Sequence, residues 1–353
     1  MAPRPSVVIL QGVLADYRRP LFNALSRSYD VTVVHAGPAA SQPQDLFREV
    51  VIPATRVGPF RLQSLSRVWA QVASHDVVIA MFDLGWPAYW SLLFRRRDRR
   101  PGLVLHGHRY SGRPAADRAR NFLMRKADVM LMYGDEEVDQ MVASGVDGSR
   151  IIIAPNTIDV PNHEDTSPLP KTRLLYVGRL QERKRLDAAL EAFADLQGRI
   201  DPLIEFDIVG SGQPEDDLRA LAEELGISSK VRFHGAVRDD ARLRDFFATA
   251  LAYISPGPVG LAVLHSFAYG VPVVTFADGY HGPEVHNIMD DKNSLLLADE
   301  SQLGAAILKI CQDREWAARL GHAAYEHYVT RRRLEHMVSG FTQAVQRCRE
   351  SQA

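Results

Sequence analysis

Short apolar runs alternate with stretches of helical period along most of this chain, and the alternation occurs twice with a break between the two series. The first series has apolar runs at 7–10, 31–34, 77–81, 103–105 and 129–132, with helical periodicity at 62–73 and 118–126. Runs this uniformly apolar suit strands buried on both faces, which is the condition of a parallel sheet covered by helices. The pattern stops in PNTIDVPNHEDTSPLPKT, residues 155–172, where four prolines interrupt it. A second series follows, with runs at 174–177, 204–209, 231–233, 251–254, 273–276 and 295–297 and helical patterns at 186–195, 214–225, 240–247 and 261–269. The expected fold is therefore α/β: two doubly wound Rossmann-like domains facing across a cleft. The first spans 1–158, a linker 159–172 acts as a hinge, and the second spans 173–330. Helical patterns continue to the end, and 331–353 is expected to complete the first domain.

An open α/β sheet binds ligands beyond the carboxyl ends of its strands, so the residues just after each run are the informative ones. Gly12 follows the first run, and Tyr17, Arg18 and Arg19 then open a helix with Pro20 near its start. His106 follows 103–105. In the second series Gly178 and Arg179 follow 174–177 and Lys184 comes shortly after; Gly210 and Gly212 follow 204–209, and His234 follows 231–233. Arg179 as a fork and Lys184 as a point charge suit a diphosphate, although loop cations taken alone are equally well solvated and idle. The stretch from Ser255 to Pro272 carries a strand into a glycine turn and a helix starting near Gly260. Free amides of Leu261 and Ala262 would there form an anion site. An ordinary βαβ unit explains the same letters.

In order and spacing, IIIAPNTIDV, YVGRLQERKRLDAALEAF, FDIVGSGQPEDDL, VRFHGAV and GLAVLHSFAYGVPVV resemble the retaining, nucleotide-sugar-dependent glycosyltransferases of the GT-B fold, family 4, over nearly the whole chain. The resemblance implies transfer of a hexose-type sugar from a nucleoside-diphosphate donor to a glycan, glycolipid or small-molecule acceptor, in bacterial polysaccharide or glycoconjugate synthesis, with no other cofactor. Arg179 and Lys184 would hold the diphosphate and the amides after Gly260 its distal phosphate. Gly210, Gly212, His234, Val237 and Arg238 would flank the base, and His106, Gly12, Gly178, Gly282 and Glu284 would face the donor sugar and phosphates. Tyr17, Arg18 and Arg19 would meet the acceptor. Two glutamates usual in the family's last motif are replaced by Gly257 and His265. A neutral histidine offers one acceptor where a carboxylate accepts from both ribose hydroxyls, so His265 is expected at a weakened ribose contact. A sugar-nucleotide epimerase or hydrolase on the same fold, or an inactive binding partner, are the alternatives.

Composition narrows the partners. The 42 Lys+Arg balance 43 Asp+Glu, which leaves no global field for nucleic acid. Two isolated cysteines fit a reducing compartment, and no apolar stretch is long enough for a membrane span; the expected location is cytoplasmic. Trp86 and Trp90 precede Arg95, Arg96, Arg97, Arg99 and Arg100, a combination suited to peripheral contact at the inner face of a membrane. No Asp-X-Asp, His/Cys cluster, Walker loop or serine elbow occurs, so no metal site is expected.

Overall fold

The computed structural model describes residues 4–107, 114–136 and 138–352. Two compact units divide the chain: Met1–Asp159 together with Leu334–Ala353, and Val160–Arg333.

The first unit contains β1 (Ser6–Leu10), β2 (Asp30–His35), β3 (Arg48–Val51), the hairpin strands β4 (Thr55–Val57) and β5 (Phe60–Leu62), β6 (Val77–Met81), β7 (Gly102–Gly107), β8 (Val129–Met132) and β9 (Ile151–Ile153). Seven of them form a parallel sheet in the order β3-β2-β1-β6-β7-β8-β9. Alternate residues go to opposite faces. Val8, Leu10, Val78 and Ala80 enter one core with Trp86 and Tyr89, while Val7, Ile9, Val77 and Ile79 enter another. The final helix, Leu334–Glu350, covers that second face with Met337, Phe341, Ala344, Val345 and Cys348.

The second unit holds β10 (Arg173–Val177), β11 (Glu205–Val209), β12 (Val231–Phe233), β13 (Ala250–Ile254), β14 (Val273–Phe276) and β15 (Leu295–Leu297), parallel in the order β12-β11-β10-β13-β14-β15. In both sheets the order reverses beside the first strand, at β1/β6 and at β10/β13. Those reversals open the crevice in which ligands sit in such sheets.

Two expectations need correction. Residues 62–73 do not form one helix: Leu62 closes the β4–β5 hairpin, and the Ser64 hydroxyl accepts from Arg67 N at 3.4 Å to start a helix at Leu65. Residues 160–172 are packed on the second unit, where Thr166 and Ser167 are buried and Glu164 N donates to Ala268 O at 3.0 Å.

Two helical glycines make opposite predictions. A Cβ on Gly340 would lie 2.4 Å from the Ile153 carbonyl and 2.7 Å from the Ala154 Cα, whereas one on Gly304 meets nothing within 4 Å. Gly340→Ala should therefore destabilise by about 1–3 kcal/mol through overpacking, and Gly304→Ala should stabilise by a few tenths to about 1 kcal/mol. Urea unfolding of the two variants checks both signs.

Candidate functional site

In the second unit, the loops after β10, β11 and β12 are joined backbone to backbone. Gly178 N donates to Val209 O at 2.9 Å, Leu180 N to Ser211 O at 3.0 Å, and Gly210 N to Gly235 O at 2.8 Å. A Cβ on Gly210 would sit 1.8 Å from Gly178 O and one on Gly212 1.9 Å from Leu180 O, so only glycine fits at either place. From below, the buried Tyr176 hydroxyl donates to Arg179 O at 2.9 Å and Tyr253 to Val177 O at 3.1 Å. The Arg179 side chain, held out by this turn, is exposed and meets no carboxylate among the described residues.

Lys184 stands at the reversal point. Its ammonium donates to the Pro258 carbonyl, and Gly257 N donates to Lys184 O at 3.0 Å. Burial, helped by neighbouring Arg183, lowers the Lys184 pKa from its usual value. An anion placed against it would restore the charged form. The 256–260 turn is fixed from its other side as well: Val259 N donates to His281 Nδ1 at 3.2 Å and Gly282 N to Val259 O at 2.8 Å. Glu284 is buried, and its carboxylate lies 3.9 Å from where a Gly260 Cβ would stand. The helix beyond is only Ala262–Phe267, where Val263 N bonds Gly260 O at 3.0 Å and His265 N bonds Leu261 O at 3.1 Å.

Gly257 acquires a physical reason. A Cβ there would lie 2.0 Å from Arg183 O and 2.6 Å from the Lys184 Cα, so the position expected to lack a glutamate has no room for any side chain. His265 packs between aromatics, with ring centroids 4.8 Å from Phe247 and 5.7 Å from Tyr269. The ring is half-buried among these neighbours. His234 is bonded through Nε2 to Asp207 at 2.6 Å, with its ring tilted 59° against Phe246 at 4.6 Å; Val237 is half-buried and Arg238 exposed beyond it.

In the first unit, a cavity of about 390 Å³ opens at the β1/β6 reversal. Gly12, Tyr17, Arg18 and His106 all line it. Buried Arg18 donates to the Tyr133 hydroxyl at 3.0 Å, and the His106 ring lies edge-on to Tyr133 at 4.7 Å and Phe341 at 4.8 Å. Arg19 is not part of the cavity. Its guanidinium turns away to Asp45 and to Asp16 at 3.2 Å. Gln11, Arg61, Asp83, Tyr133 and Phe341 are among the lining residues that the sequence reading does not assign to a site. Gln11 and Tyr133 directly follow strands, a signal that was present. Phe341 arrives from the last helix without one.

The expected membrane patch is largely committed elsewhere. Trp86 is buried and stacked on Tyr89 at 5.2 Å, and Trp90 donates to Leu84 O at 3.1 Å. Arg100, buried, pairs with Asp128 at 2.5 Å, Arg97 pairs with the same carboxylate, and Arg96 meets Asp98 at 3.1 Å. No helix among the described residues is long and apolar enough to cross a membrane. Among the same residues no group of three His, Cys, Asp or Glu is placed to hold a metal ion.

Residues 162–327 match the family model described as glycosyl transferases group 1, and residues 14–157 match that of the glycosyl transferase 4-like domain. The chain belongs to the group 1 glycosyltransferases. It is 32% identical over 168 residues to the lipopolysaccharide core biosynthesis glycosyltransferase LpsE of Rhizobium meliloti, a match spanning 46% of each chain. It is 25% identical over 335 residues to a GDP-mannose-dependent phosphatidylinositol monomannoside mannosyltransferase of Mycobacterium tuberculosis, covering 91% of this chain and 77% of that one. Solved structures share the GT-B fold: sucrose-phosphate synthase of Thermosynechococcus elongatus at TM-score 0.73, 17% identity and coverage of 99% and 100%, and Anabaena HepE bound to UDP at 0.73, 17%, 97% and 99%.

Two predictions follow from the packing of this glycosyltransferase. Gly257→Ala should lower the melting temperature by the equivalent of about 1–3 kcal/mol, and Gly257→Glu should lose donor affinity instead of gaining turnover. Thermal unfolding and donor titration read both.

Burial also pushes the pKa of His265, and of His327 with Arg332 and Arg331 nearby, down to about 4. Both rings stay neutral in the fold but take up protons in the unfolded chain below about pH 6.5. Stability is thus full above that pH and falls as the pH drops toward 4. Urea unfolding at pH 7 and pH 4.5 should show the loss, and His265→Gln should remove about 2 kcal/mol of it.

Proposed function

We propose that this glycosyltransferase moves a sugar from a nucleoside-diphosphate donor to a glycan or glycolipid acceptor with retention of configuration and without a metal ion. The observation that carries this reading is the arrangement of Lys184, Arg179 and the 256–260 turn. Two cations stand at the reversal point of the second sheet, one half-buried with a depressed pKa and the other without a carboxylate partner among the described residues. Such a place is stabilised by a bound anion, and a diphosphate has the charge and the spread of oxygens to meet both. When the sugar–phosphate bond breaks, negative charge grows on the distal phosphate, and preorganised cations stabilise it more than they stabilise the ground state. The leaving phosphate oxygen then takes the acceptor proton as the sugar passes through an oxocarbenium-like state, on the face it leaves from.

Glu284 is the carboxylate this turn retains, and it is the group we place at the donor sugar, with Gly282 and Gly260 allowing close approach. Gly178, Gly210, Gly212, His234, Val237 and Arg238 border the nucleotide. On the first unit, Tyr17 and Arg18 take the acceptor, in the cavity that Gly12 and His106 also line. The activities named for the relatives, in lipopolysaccharide core biosynthesis and on phosphatidylinositol monomannoside, support an acceptor of the glycolipid class.

A panel of nucleotide sugars tested by thermal shift identifies the donor, because a ligand that binds only the native state raises its stability. With that donor, Lys184→Ala and Arg179→Ala should each lower kcat and kcat/KM by on the order of 10²-fold. Wild-type turnover should survive excess EDTA. Full activity in both variants, or EDTA inactivation reversed by Mg²⁺ or Mn²⁺, overturns the leaving-group mechanism; donor consumption without acceptor would instead support a hydrolase or epimerase.

A further inference from the structure

Between Glu49 and Asp76 the chain has no acidic residue, yet it carries Arg56, Arg61 and Arg67. This stretch forms the β4–β5 hairpin and the helix Leu65–Val72. The hairpin pairs Val57 with Phe60, Arg56 with Arg61 and Thr55 with Leu62. Alternation therefore sorts the side chains: Val57, Phe60 and Leu62 share one face, and the two arginines share the other.

The apolar face is largely open to solvent. Val57 is 53% exposed, Phe60 42%, Leu62 45% and the adjoining Leu65 57%. Single exposed apolar side chains are ordinary, but four together on one small projection mark a contact surface. The basic face is equally unusual. Like charges placed directly opposite on neighbouring strands repel, and among the described residues neither Arg56 nor Arg61 meets a carboxylate; Arg56 reaches only the Gly58 carbonyl at 3.4 Å. The hairpin is nevertheless held in place, because Arg61 N donates to Gly85 O at 2.7 Å and its guanidinium lies 5.9 Å from the Trp86 ring. Arg61 also lines the 390 Å³ cavity, whose carboxylate, Asp83, accepts from Gly85 N at 2.8 Å. Beside the helix, Arg95 stands 3.6 Å over the Trp69 ring and adds a further cation.

We propose that this hairpin docks the first unit onto an anionic lipid surface. Val57, Phe60, Leu62 and Leu65 enter the boundary between headgroups and acyl chains, and Arg56, Arg61 and Arg67 meet lipid phosphates. A bilayer supplies both halves of the match at once: apolar depth for one face and negative charge for the other. Because Arg61 belongs to both the hairpin and the cavity, the docked surface presents its headgroups at the cavity mouth. That last step, a lipid-borne acceptor, rests on the transferase reading; the docking does not.

Flotation of the full chain with vesicles tests it, using phosphatidylcholine alone and phosphatidylcholine mixed with phosphatidylglycerol. The protein should float with the mixed vesicles, remain behind with the neutral ones, and be released by salt. Replacing Val57, Phe60 and Leu62 together by serine should reduce the vesicle-bound fraction about tenfold or more, and Arg56→Gln about fivefold. Leu203→Ser, at a 69% exposed position of the second unit, should float like wild type. Equal flotation of the serine variant, equal binding to neutral vesicles, or a dimer in light scattering that the serine variant abolishes would overturn the proposal, the last by assigning the face to a second copy. Should the serine variant fail to fold, undiminished flotation of Arg56→Gln overturns it alone. No donor is present in this assay. A chain that floats but transfers no sugar refutes the transferase reading only, and one that transfers sugar but does not float refutes the docking only.

Discussion

Main chain lies directly against main chain at the carboxyl edge of the second sheet, and the chemistry proposed there depends on that closeness. Gly210, Gly212 and Gly257 each stand where a Cβ would collide with a neighbouring carbonyl, at 1.8, 1.9 and 2.0 Å. Without side chains between them, the three loops bond through backbone groups alone, and those bonds do not rearrange with rotamers. Lys184 and Arg179 thus project from a frame set by peptide geometry. Preorganisation of this kind lets a charge act on a developing anion without first paying to be oriented.

Gly257 changes meaning in that light. By resemblance a glutamate is expected at this position, and its absence in the sequence suggests weakened function. In the fold the same position packs directly against the Arg183–Lys184 segment. A side chain here would displace the lysine it was meant to assist. Glu284, reaching the turn from a different loop, is a carboxylate this arrangement can accommodate.

How far the letters foretold the molecule depended on whether a feature was local. The long apolar runs became strands because burial on both faces leaves little compositional freedom. Arg48–Val51 and Ile151–Ile153 escaped notice because edge strands are short and mixed or abut a proline, and the hairpin was hidden inside a run that also fits helical spacing. The neighbours Arg18 and Arg19 make the same point at the site. Both precede Pro20 and both are buried, yet one faces the cavity and the other is held by Asp45 and Asp16. Which of two adjacent arginines is available depends on carboxylates placed by another loop. Phe341 lay furthest from any local signal, since its role follows from a helix returning to a sheet whose strands end near residue 153.

That return has a bearing on how the chain is made. The helix Leu334–Glu350 covers a face built from strands between Ser6 and Met132, so the whole of Val160–Arg333 is synthesised before the cover for that face exists. The second unit is continuous in sequence and can complete its core while the first still exposes Val7, Ile9, Val77 and Ile79. Vectorial synthesis therefore reverses the order in which the two units are written: the one encoded first is finished last, and its open apolar face needs protection from aggregation until Leu334–Glu350 has left the ribosome.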